Sequence, residues 1–181
     1  MTQGIPSPGA THGELGAQYG NREADGNISP FLRMLWDHGL IDCSTNPMDS
    51  TLDTRIKVQK LVYLAQRRFG LEFRYSHSLY IYGPYSAGLA NDYFRIRDIC
   101  DTPRGGLEEW GKKGDFLAFA SGHKDVKWLE IASTMIFVRD VNGVTSRDEL
   151  LEHVQLIKHE CLMRRITQVY DDLIGSGLLA E

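Results

Sequence analysis

R-I-K-V-Q-K-L-V-Y-L-A-Q-R-R-F-G, residues 55–70, and I-Y-G-P-Y-S-A-G-L-A-N-D, residues 81–92, bracket the segment that decides how this chain folds. Residues 55–69 contain neither Gly nor Pro, Asp53 or Ser50 is placed to accept the orphan N–H groups at the start, and Gly70 is a left-handed stop. The spacing predicts a helix. Its helical period puts Val58, Leu61, Val62, Ala65 and Phe69 on one stripe, with Ile56 and Tyr63 on a second apolar flank. Lys57, Lys60, Arg67 and Arg68 then fall roughly opposite. Apolar residues on more than one flank mark a central packing helix.

Leu71, Phe73 and Tyr75 alternate with Glu72 and Arg74, which is a strand period. Leu79–Tyr82 follows after Ser76-His77-Ser78, so these two runs are expected to pair as a hairpin seated on helices. Gly83 and Pro84 end the second run, because Pro cannot donate to a ladder and Gly takes backbone angles other residues avoid. Ser86 is the expected cap of a helix through Ala87–Cys100, with Leu89, Tyr93 and Ile96 inward.

The combination K-V-Q-K-L-V-Y-L, an aromatic strand and Y-G-P-Y-S-x-x-L-x-x-D resembles the YwgA-like proteins. It is more distantly similar to the Panacea antitoxin domain of SocA type, which shares the Q-K-L-hydrophobic-Tyr helix and the Y-G-P turn. The resemblance covers about residues 55–93, with a looser likeness of helical pattern to the C-terminus, and residues 1–50 match neither pattern. It implies a mainly α, compact multi-helix domain with a small β-hairpin, somewhat winged-helix-like. It also implies a non-catalytic role without a cofactor: neutralising a toxin or joining a defence-related assembly whose other subunit is encoded nearby.

The 181 residues suit one domain, residues 28–181, preceded by an N-terminal arm. Residues 1–27 are Gly-rich and poor in aliphatics, so they are expected to be a mobile arm in which Leu15 and Tyr19 could form one docking turn. Hydrophobic content of 42% and charged content of 24% are those of a globular protein. A net charge of −4 argues against a nucleic-acid binder that uses its whole surface, while leaving room for a local basic patch. Cys43, Cys100 and Cys161 are far apart and odd in number, which suits free thiols in a reducing cytoplasm. No run approaches the roughly 18–20 apolar residues that span a bilayer. No basic region followed by an apolar core opens the chain, so no signal peptide is expected.

Ser29-Pro30-Phe31 reads as a helix start, with Phe31, Leu32, Leu35 and Trp36 apolar and Gly39 the stop. A loop is expected over Cys43–Ser50, and Gly and Pro break the chain over Asp101–Gly114, where Trp110 is the expected anchor. Phe116–Ala120 is too short to assign. Lys124–Arg139 and Glu160–Ile174 read as helices, and Ser146 with Glu149 has capping-box spacing.

Candidate chemistry is sparse. The histidines and cysteines lack metal-ligand spacing, no G-x-S-x-G occurs, and Ser86 reads as a cap instead of a nucleophile. Asp115 with Asp125-Val126-Lys127 has the acid then acid-x-Lys order of a metal-dependent nuclease, but an acid at a helix start is already explained by the helix dipole. Lys57, Lys60, Arg67 and Arg68 form the candidate nucleic-acid surface. Tyr80, Tyr82, Gly83, Pro84, Tyr85 and Ser86 form the candidate partner surface, since the tyrosines of this region are too many to bury with satisfied hydroxyls. The expectation is therefore a non-enzymatic cytoplasmic interaction module with a protein partner, and no membrane contact. The alternatives are a winged-helix-like nucleic-acid binder or a metal-dependent nuclease.

Overall fold

In a computed structural model, residues 28–42 and 50–180 are described. Their elements are α1 (Ser29–Asp37), α2 (Leu52–Arg68), β1 (Ser78–Tyr80), β2 (Gly83–Tyr85), α3 (Ala87–Arg95), α4 (Lys113–Gly122), α5 (Val126–Asn142), α6 (Arg147–Ile157) and α7 (Met163–Gly175). The fold is mainly helical with one small antiparallel hairpin. The arm expected over residues 1–27 and most of the expected Cys43–Ser50 loop lie outside the described residues.

Two helices carry the core. Residues 58–65 of α2 and 128–138 of α5 are buried without a break, which requires neighbours on every side. α2 packs on α5, and α5 also packs on α6, α7 and β2. The α2 cap is Thr51, whose side chain accepts from the Thr54 N–H at 3.2 Å. Neither Ser50 nor Asp53 fills that role, because Thr51 is the residue with extended backbone angles immediately before the first turn. Asp125 caps α5 through the Trp128 N–H, and Gly143 closes it in the left-handed conformation. Ser146 stands at the α6 N-cap position but its side chain makes no capping bond, so the capping-box expectation is not met.

An aromatic cluster joins α1 to the rest. Phe31 packs its ring at 5.3 Å from Phe73 and 5.4 Å from Phe116, and Phe69 meets Phe116 at 5.4 Å. Trp110 closes this cluster and donates its indole N–H to the Phe69 carbonyl at 2.7 Å, which anchors the loop as expected.

The hairpin differs from the one the alternation suggested. The strand expected over Leu71–Tyr75 does not form; β1 pairs with β2 in the register Ser78↔Tyr85, Leu79↔Pro84 and Tyr80↔Gly83, around the two-residue turn Ile81-Tyr82. The cause is local. Arg74 takes a left-handed φ of 58°, which breaks the extended run. Tyr75 gives its N–H to Gln66 Oε1 at 3.2 Å and its carbonyl accepts from Gln66 Nε2 at 3.1 Å, so a side chain occupies the place of a strand. Phe73 and Tyr75 are buried where they lie.

Candidate functional site

The hairpin is held through its backbone. Gln59, two turns before Gln66 on α2, repeats the same clamp: the Ser86 N–H donates to Gln59 Oε1 at 2.9 Å and Gln59 Nε2 donates to the Ser86 carbonyl at 3.0 Å. The Ser86 side chain accepts from the Leu89 N–H and caps α3, as the sequence indicates. Helix α3 stops at Arg95 instead of running to Cys100, because Ile96 turns to extended angles.

Two buried lysines complete the support. Lys60 donates to the Pro84 carbonyl at 2.6 Å, and Lys158 donates to the Ile81 carbonyl at 2.9 Å. Lys158 also lies 3.2 Å from Glu130, which Lys127 approaches at 3.1 Å. Lys60 is 1% exposed, Lys158 0% and Glu130 3%. Burial pushes the Lys60 ammonium down to about 7; the like charge of Lys158 adds to this and Glu130 opposes it. Burial likewise pushes His77 down to about 4, with Lys60 and Arg67 acting the same way.

Gly83 is required where the turn meets α5. A Cβ there would sit 2.6 Å from Thr134 Oγ1 and 3.3 Å from the Glu130 carbonyl, and its φ of 92° already disfavours any other residue. Gly83, Pro84 and Ser86 are thus buried scaffold that shapes the corner, and of the three only Gly83 lines the pocket beside it.

The side chains of the hairpin point the other way. Tyr80 is 59% exposed, Ile81 79% and Tyr82 39%, while Tyr85 is half-buried with its ring 5.2 Å from that of Tyr80. Beside them opens a pocket of about 390 Å³, its apolar wall made by Leu52, Ile56, Ala90 and Phe94, with the stem of α2 as floor. Leu52 and Phe94 are themselves exposed. Five of the large exposed apolar side chains among the described residues thus border one concavity. Its lining contains Arg55 and Lys60 and no carboxylate. A second depression of about 670 Å³ lies at the far end of α2, lined by Phe69–Glu72 and Gly106–Lys112, with Glu72, Glu108, Glu109 and Lys112 as its titratable groups.

The candidate basic row is taken apart by the fold. Lys60 does not share the solvent-facing side of α2, because the Pro84 carbonyl lies over it and the hairpin covers it. Arg68 forms a two-pronged pair with Asp140 at 2.9 and 2.8 Å and donates to the Leu178 carbonyl at 2.7 Å. Lys57 is half-buried, and Arg67 is exposed with its guanidinium 5.8 Å from the Tyr63 ring. The nuclease residues are engaged elsewhere: Asp125 caps α5 and pairs with Arg165 at 3.0 Å, and Lys127 meets Glu130. Among the described residues no three His, Cys, Asp or Glu side chains are grouped to hold a metal ion, and no helix is long and apolar enough to cross a membrane.

Sequence reasoning found the exposed tyrosines but missed the pocket, and it missed Lys158 and Glu130 altogether. The one available signal was Glu130, a carboxylate within the otherwise apolar run Trp128–Ala132; Lys158, at the end of α6 beside His159 and Glu160, carried none. Comparison of the chain with protein-family models, curated proteins and solved structures finds no match in any of the three.

Proposed function

We propose that the protein is a non-enzymatic interaction module, antitoxin-like or a subunit of a defence complex, that grips a protein partner encoded nearby. It works in the cytoplasm, where Cys100 and Cys161 remain free thiols. The observation that supports this reading is the mounting of the hairpin. Tyr80, Ile81 and Tyr82 stand exposed beside an apolar pocket, while the backbone that carries them is pinned by Gln59, Lys60 and Lys158. An exposed apolar patch around a concavity is the signature of a recognition surface, and tyrosine supplies contact area with few rotatable bonds. The buried lysines are spent on carbonyls of the same chain and frame no reacting group.

The test is a pulldown of the product of the adjacent gene with the Tyr82→Ala, Tyr85→Ala double variant. Capture weakens by roughly tenfold or more, as for paired hot-spot residues, while the thermal melt stays cooperative. Undiminished capture by the double variant removes the hairpin from the contact surface.

A further inference from the structure

The geometry points to a partner segment that presents a bulky apolar side chain with a carboxylate beside it, the side chain entering the pocket between α2, β2 and α3 and the carboxylate meeting Arg55. This rests on the interaction reading above and adds the partner's chemistry. Two observations select this occupant. The first is the hole itself: about 390 Å³ of concave space walled by Leu52, Ile56, Ala90 and Phe94 and rimmed by Tyr80 and Tyr82. Such a cavity matches a large aliphatic or aromatic side chain, the anchor type that dominates interface energetics.

The second is the charge around it. The chain as a whole carries −4, yet the pocket lining holds Arg55 and Lys60 and no acid. Lys60 is committed to the Pro84 carbonyl from inside. Arg55 is exposed at the rim, and among the described residues it has no carboxylate partner. A guanidinium beside an apolar hole selects an apolar group flanked by an anion. A second copy of this chain is a poorer occupant, because a two-fold contact through this face sets the same cationic rim against itself.

The probe is the blocked tetrapeptide acetyl-Glu-Leu-Trp-Glu-amide, compared with its counterpart bearing glutamine in place of both glutamates. Each is titrated into the full chain with isotope-labelled methyl groups, and the Leu52, Ile56, Ile81 and Ala90 methyl resonances are followed. The acidic peptide shifts these resonances and binds about fivefold more tightly than the neutral one at low salt, the scale of one exposed ion pair. The preference shrinks at roughly 0.5 M salt. Arg55→Gln brings the two affinities together and leaves the remaining spectrum in place.

Equal affinities in the unaltered protein overturn the acidic partner while the tyrosine pulldown can still succeed, so the two readings fail separately. Silence of these methyls toward both peptides overturns the pocket as the docking point. Concentration-dependent self-association that shifts the same methyls assigns the face to a second copy and also overturns the proposal.

Discussion

At the scale of single residues, Lys60 is the most informative side chain. On a helical wheel it falls with Lys57, Arg67 and Arg68, and nothing in its spacing distinguishes it from them. What buries it is a carbonyl from residue 84, brought there by a turn that no local pattern of α2 encodes. The consequence is measurable. The folded protein releases the Lys60 proton near 7, whereas an unfolded lysine holds its proton to about 10.5. Between those values the unfolded chain binds more protons, so this residue makes stability rise with pH. His77 titrates folded near 4 and unfolded near 6.5, so its contribution, also lost as pH falls, lies in a separate acidic window. Urea unfolding followed from pH 7 to about 9.5 therefore shows a gain in stability that Lys60→Met removes. The range stops there because burial raises the buried Tyr63 and Tyr75 hydroxyls. A flat alkaline limb in the unaltered protein would contradict the burial of this amine.

Among the elements, the long helices were legible and the hairpin register was not. α2 and α5 announce themselves by stretches free of Gly and Pro, with Gly70 and Gly143 stopping them. Ser86 was readable as a cap because its role is settled by residues three positions away. The Leu71–Tyr75 alternation misleads because strand period records only which side chains are buried. It does not say what satisfies the backbone, and here Gln66 does so. Gln59 and Gln66 thus act as surrogate strand partners displayed on a helix. Replacing Gln66 by Leu leaves the buried Tyr75 amide unpaired and its carbonyl with His77 Nδ1, at 3.2 Å, as the remaining partner, a loss of about 1–3 kcal/mol by urea unfolding. Amide exchange at Tyr75 accelerates with it, whereas exchange at Ser86, held by Gln59, does not. The pocket was illegible for the same reason as Lys60: its walls come from α2, β1, β2 and α3, which only the closed hairpin brings together.

For the molecule as a whole, Glu130, Lys158 and Lys60 tie α5, α6, α2 and the hairpin into one charged knot inside an apolar core. Such a knot contributes little net stability when intact, since desolvation offsets attraction, but it tolerates no partial removal. Glu130→Ala leaves Lys158 buried without its carboxylate and lowers stability by about 3–5 kcal/mol in chemical denaturation. A loss below about 1 kcal/mol would mean that the ammonium finds water, and the packing described for α6 on α5 would then be wrong.

The clamps on the hairpin act almost wholly on main-chain atoms: carbonyls at 81, 84 and 86 and one amide. Main-chain atoms are common to every amino acid. The framework is therefore indifferent to which side chains occupy positions 80 to 82, and those three letters can drift without disturbing the fold beneath them. On the proposed reading, a tip built this way is an interchangeable bit in a fixed chuck, able to be retuned from one target to another by a handful of codon changes.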